Sequence, residues 1–162
     1  MTQASRYVKV AQHAVARRGE VLVTLGLGSC VAILVQDAVA GVMGMAHVLL
    51  PEPGLSRDGS NPFKFASTAV PALVAEMVAA GAHPARLEAR LVGGAAMFAA
   101  LMVPGTLNMG ERNIRAARAA LAGAGIPIRG EEVGKDFGRS VRQRLGAGQT
   151  VVSSVGRPDV CL

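Results

Sequence analysis

The sequence predicts an α+β domain, a mostly antiparallel sheet carrying two main helices on one face. Short apolar runs of strand length, rich in Val, Ile and Leu, recur towards both ends of the chain. Two longer segments with helical spacing and recognisable ends lie between them. The 162 residues make one ordinary domain, long enough to bury a core without disulfide or metal support. No internal repeat, low-complexity tract or interdomain linker interrupts them, so residues 1–162 are expected to form a single domain with flexible tails at 1–6 and 156–162.

Val21–Leu25 and Val31–Val35 are short β-branched runs separated by the glycine-rich Gly26-Leu27-Gly28-Ser29-Cys30, which reads as strand, tight turn, strand. A third run, Val42–Leu50, stops at Pro51, which lacks the N–H that a ladder needs, so residues 31–50 read as a hairpin. Residues 51–62, rich in Pro, Gly, Ser, Asp and Asn, form a surface loop and a candidate substrate rim. Phe65–Ala80 reads as a helix closed by Gly81, with Pro71 either bending it or marking its first turn. Arg86–Val92 reads as a strand. Residues 108–124 give the clearest helix: Asn108 can cap, Glu111 stands three positions on, and Gly125 lies just past the end. Ile126–Arg129, Val141–Leu145 and Thr150–Val155 complete the pattern as short strands.

Apolar residues make up 51% of the chain and charged residues 17%, which places it with folded proteins and away from disordered ones. The N-terminal segment lacks the uninterrupted apolar stretch of a signal peptide. The longest nearly uncharged stretch, Leu91–Pro104, is shorter than the roughly 20 residues of a membrane span and is broken by Gly93 and Gly94. A cytoplasmic protein without membrane insertion is expected. The two cysteines, Cys30 and Cys161, cannot build a disulfide framework. Cys161, next to last, reads as an idle thiol, and Cys30 as either a small buried hydrophobe or a nucleophile. The net charge of +6 draws acidic partners at long range. Nucleic acid is not expected, because aromatic residues are only 3% and Arg and Lys are scattered from Arg6 to Arg157 without a basic run.

A hairpin turning near Ala38 and Val39 sets Cys30 opposite His47, where directly paired residues share a face with Cβ atoms about 4.5–5.5 Å apart. An imidazolium at that distance lowers the thiol pKa and populates the thiolate that a cysteine nucleophile requires. Thr24, on the preceding strand, can fix the imidazole tautomer through its hydroxyl. Gly26 and Gly28 let the backbone bend so that N–H groups near Ser29 and Cys30 point at a developing oxyanion. Each feature also has a plain structural role: Cys30 as core, His47 as a hydrogen-bonded half-buried side chain, Thr24 as strand filler and the glycines as a turn. Ser29 is an alternative nucleophile that strand alternation turns away from His47. A dinucleotide loop is disfavoured because Val31 stands where a third glycine belongs. His13, His47 and His83 lie far apart, so no metal is expected, and thiol–imidazole chemistry needs no organic cofactor.

The string TLGLGSCVAILV at 24–35, followed by GVMGMAHVLLP at 41–51, resembles the CheD family of chemotaxis proteins. Further matches are KFASTAVPALVAEMVAAGA at 64–82, ARLVGGAAMF at 89–98, NMGERNIRAARAALAGAGIPI at 108–128 and EVGKDFGRSV at 132–141. The resemblance implies a three-layer α/β/β fold related to deamidating bacterial toxins and papain-like thiol hydrolases. It implies a catalytic triad of Cys30, His47 and Thr24 that hydrolyses selected glutamine side-chain amides to glutamate in the cytoplasmic helices of chemoreceptors. It also implies a second partner, the response-regulator phosphatase CheC. The alternative is a largely non-catalytic module that binds a CheC-type phosphatase or receptor helices through the same face. Two residues depart from the family pattern: Ser67 stands where an acidic residue is expected and Lys135 where a second glycine is common. The polar Arg142-Gln143-Arg144 predicts a short edge strand. Arg112, Arg115 and Arg118 recur opposite the Ile114, Ala117 and Leu121 stripe and are expected to line one solvent-facing side of their helix.

Overall fold

The computed structural model describes residues 3–98, 101 and 105–162. Strands β1 (Ser5–Tyr7), β2 (His13–Arg17), β3 (Val21–Leu27), β4 (Val31–Asp37) and β5 (Val42–Val48) precede helix α1 (Ala66–Ala79). Strand β6 (Glu88–Gly93), helix α2 (Met109–Gly123) and strand β7 (Ile128–Val133) follow, and β8 (Arg139–Gln143), β9 (Thr150–Ser154) and β10 (Arg157–Cys161) close the chain. The strands form two five-stranded sheets, in the orders β1-β3-β8-β9-β10 and β2-β5-β4-β6-β7. The pairs β1 with β3 and β6 with β7 are parallel, and the remaining pairs are antiparallel. Helix α2 makes the crossover between β6 and β7.

Strands β4 and β5 are buried along their whole length, and their alternate side chains go to different layers. Val31, Ile33, Val35, Ala46 and Val48 pack with Leu73 and Met77 of α1 and with Ile114, Ala117 and Leu121 of α2. Ala32, Leu34, Met43 and Met45 face Leu22, Val141 and Val152 of the other sheet. The result is an α/β/β stack, and burial on both faces explains why 31–35 is one continuous apolar run. Fully burying side chains of this size contributes roughly 1.5–3 kcal/mol each, so the middle sheet is anchored from both sides. Gly44 sets the closeness of the helix layer, because a Cβ there would lie 2.9 Å from Met77 Sδ.

Several local expectations are corrected. Strands β3 and β4 are not partners in a turn; they belong to different sheets, and residues 26–30 carry the chain across. Gly26 makes that departure with a φ of +65°. The β4–β5 hairpin turns later than expected. Asp37 pairs with Val42, its Oδ1 accepts from Val39 N–H and Ala40 N–H at 3.0 Å each, and Gly41 turns with a φ of +73°. His47 therefore faces Ala32 and not Cys30, a shift of two residues that leaves every side chain on its expected face.

The segments expected as tails are edge strands: β1 pairs with β3, and β10 pairs with β9. Both are exposed throughout and carry no apolar alternation to read. Strand β8 is interior, lying between β3 and β9, and its polar Gln143 is accommodated by donating Nε2–H to Val35 O at 3.2 Å. Pro71 lies inside α1, on an exposed position. Part of the apolar 91–104 stretch, residues 99–100 and 102–104, lies outside the described residues, as do residues 1–2 of the expected N-terminal tail. No helix among the described residues is long and apolar enough to cross a membrane.

Candidate active site

Thr24 on β3 and Cys30 just before β4 flank the crossing between the sheets, and His47 meets Thr24 there. Thr24 on β3 and His47 on β5 belong to opposite sheets, and both point into the layer between them. Thr24 Oγ1 stands 2.8 Å from His47 Nδ1 and 2.6 Å from Val8 O. Val8 O can only accept, so the threonine hydroxyl donates to it and receives the Nδ1 proton of His47. That chain leaves Nε2 as the unprotonated ring nitrogen. It is buried and has no partner among the described residues. The His47 backbone is held as well, its N–H donating to Gln12 O at 3.1 Å and its C=O accepting from Ala11 N–H at 2.8 Å.

Cys30 is half-buried and immediately precedes β4, diagonal to His47 across the ladder. The residues leading to it are fixed through their carbonyls. Gly28 O accepts from Ala95 N–H at 2.8 Å, Ser29 O from Asn113 Nδ2–H at 2.9 Å, and Cys30 O from Gly94 N–H at 2.8 Å. With three successive carbonyls committed, the N–H groups of Ser29 and Cys30 make no hydrogen bond to another residue among the described ones. Gly26 N–H is occupied, donating to Ser140 Oγ at 3.1 Å.

Electrostatics bear on the expected thiolate–imidazolium pair. Burial pushes the Cys30 thiol above its ordinary value, against a smaller opposing effect from a hydrogen bond to its own backbone. Burial also pulls the His47 imidazole below its ordinary value, against a smaller opposing effect of the Val8 backbone. Burial between the two sheets thus disfavours the charged form of both groups and works against the ion pair that the sequence suggested.

The family model described as CheD chemotactic sensory transduction matches residues 49–154. A relative from Caldanaerobacter subterraneus subsp. tengcongensis, named probable chemoreceptor glutamine deamidase CheD, is 39% identical over 149 residues, 92% of each chain. The chain belongs to the CheD family. A Thermotoga maritima protein named chemoreceptor glutamine deamidase CheD is 41% identical over 151 residues, 93% of this chain and 92% of that one. Among solved structures, a Neisseria meningitidis protein of the DUF152 family aligns with a TM-score of 0.52 and 13% identity. That alignment covers 83% of this chain and spans 65% of the Neisseria protein, and it speaks for the fold alone. The CheD match begins at Leu49, two residues past His47.

Three contributors to the site escaped the sequence reading: Gly93, Gly94 and Asn113. Gly93 and Gly94 were visible as a pair after a strand, and their φ values of +109° and +69° carry the backbone to the Cys30 loop. Asn113 was visible only as a polar residue between Gly110 and Ile114 on the buried face of α2.

Proposed function

We propose that this CheD chain hydrolyses glutamine side-chain amides to glutamate in chemoreceptors, with Cys30 as nucleophile, His47 as base and acid, and Thr24 as its orienting partner. The observation that carries the reading is the hydrogen-bond chain from Val8 through Thr24 to His47, which leaves the buried His47 Nε2 without a partner among the described residues and free to take a proton. In the first step Cys30 Sγ bonds to the amide carbon while its proton passes to His47 Nε2. Collapse of the tetrahedral intermediate breaks the C–N bond, and His47 returns the proton to the departing ammonia. Water, deprotonated by His47, then attacks the thioester, releasing glutamate and restoring the thiol. The Ser29 N–H, and the Cys30 N–H once sulfur is acylated, are suited to the oxyanion of both tetrahedral species. Gly26, its own N–H engaged, and Gly28 shape that turn.

The relatives' names support glutamine amides of chemoreceptors as substrate, and the reaction belongs in the cytoplasm, where receptor signalling helices lie. Residues 1–162 act as one deamidase domain, and a CheC-type phosphatase is a second partner for the same face. The test is ammonia release and amide-to-acid mass gain in receptor helical segments. Both are expected with the wild-type protein and neither with Cys30→Ala, whereas undiminished conversion by Cys30→Ala rejects the thiol mechanism.

A further inference from the structure

Helix α2 approaches the Cys30 loop backbone to backbone. A Cβ at Gly110 would lie 2.4 Å from Gly94 O and 2.7 Å from Ala95 O, and one at Gly94 would lie 2.5 Å from Ile114. This contact, open only to glycine, brings Asn113 to the site with no exposed surface. Its Nδ2 donates to Ser29 O at 2.9 Å and to Leu49 O at 3.0 Å. Both acceptors are carbonyl oxygens, so only the amide nitrogen can face them and the side-chain orientation is settled.

The position of those two carbonyls gives the contact its meaning. Ser29 immediately precedes Cys30, and Leu49 lies two residues beyond His47. The β4–β5 ladder ends at the pair Val31 and Val48. Past it the strands part, and Leu49 N–H and Leu50 N–H turn to Lys64 O at 2.9 and 3.1 Å. Asn113 bridges the fork where ladder bonds no longer join the two strands. Its Oδ1 is buried without a partner among the described residues. Leaving that acceptor unpaired within an apolar helix face costs stability, so packing alone does not call for asparagine here.

We propose that Asn113 is a positioning residue that sets the spacing of Cys30 and His47; the proposal rests on the deamidase reading only for its kinetic consequence. The test uses wild type, Asn113→Ala, Asn113→Asp, His47→Ala and Leu121→Ala. Leu121 lies on the same buried face of α2 without bonding the Cys30 loop, so its truncation weakens helix docking alone. Two quantities are read: the pH profile of Cys30 alkylation by iodoacetamide, and kcat and KM for ammonia release from receptor segments. Asn113→Ala, folded by circular dichroism, is expected to slow alkylation at neutral pH and to move its profile onto that of His47→Ala. Its kcat should fall roughly 100-fold with KM within about twofold, the signature of displaced reacting groups. Asn113→Asp, nearly the same size but without the NH2 group, carries the test if the alanine protein does not fold. Leu121→Ala should keep the wild-type profile. A wild-type alkylation profile in a folded Asn113 variant, or an equal change in Leu121→Ala, overturns the proposal. Wild type that releases no ammonia rejects the deamidase reading instead, and the alkylation profiles still decide the role of Asn113.

Discussion

Thr24 both donates and accepts, and the direction of its two hydrogen bonds fixes which nitrogen of His47 can take a proton. Burial lowers the imidazole pKa, so the base form persists below the ordinary 6.5. Deamidation should accordingly hold from neutral pH down past 6.5 and decline only below it, measured as kcat/KM against pH; a half-activity point above 6.5 would contradict the assignment. The same groups couple pH to folding. As pH falls below 6.5 the unfolded chain takes up a proton that folded His47 resists, and as pH rises past 9.0 it releases one that folded Cys30 keeps. Both groups therefore erode stability away from neutrality. Lys135 is a second residue with a local consequence, holding a φ of +60° in the left-handed region that glycine enters freely. Lys135→Gly is expected to raise stability by about 1 kcal/mol, the strain of a side chain in left-handed backbone. A lower urea midpoint would show that its 3.2 Å ion pair with Glu132 outweighs the strain. The Thr24–His47 contact was legible because a hydroxyl on a neighbouring strand can orient an imidazole. Asn113 was not, since its two acceptors come from loops 64 and 84 residues away in sequence.

Helix α2 was legible in full: Asn108 Oδ1 accepts from Glu111 N–H at 2.9 Å, and Gly125 ends the helix with a φ of +71°. The hairpin was legible as a hairpin, but its register depended on Asp37, whose carboxylate organises a four-residue loop. Asp37 has no exposed surface. Burial raises its pKa, but hydrogen bonds from Arg86, His83 N–H and Ala40 N–H outweigh that and hold it well below the usual carboxylate range. Sequence spacing does not announce such a cap from residues nearly 50 positions on. Strands β1 and β10 were missed because exposed edge strands need no apolar face. At this scale the turn after β6 is the most sensitive element. A Cβ on Gly93 would lie 2.3 Å from Cys30 O, and its φ of +109° suits glycine alone. Gly93→Ala should cost at least about 2 kcal/mol and abolish ammonia release by displacing the nucleophile. Urea unfolding and activity close to wild type would show that the loop tolerates the shift.

Across the molecule, two sheets and a helix layer place groups distant in sequence around one crossing of the chain. The net charge of +6 acts at this scale. Of the three arginines expected to line α2, Arg118 is engaged, its Nη2 lying 2.6 Å from Glu131 Oε2. Arg112 and Arg115 instead border a shallow cleft with Glu52 and Ser67. Replacing both with glutamine should lower the second-order rate on receptor segments at low salt and converge with wild type at high salt, because steering by exposed charge is screened within about 8 Å at physiological ionic strength. Equal rates at low salt would make these arginines a solvated helix face. The central claim, a thioester on Cys30, is tested most directly by acid-quenching the reaction with receptor segments and mapping the covalent adduct by mass spectrometry. The account predicts an acyl adduct on Cys30 that water resolves to glutamate. Conversion to glutamate with the adduct on Ser29, or with none under conditions where turnover proceeds, would contradict it.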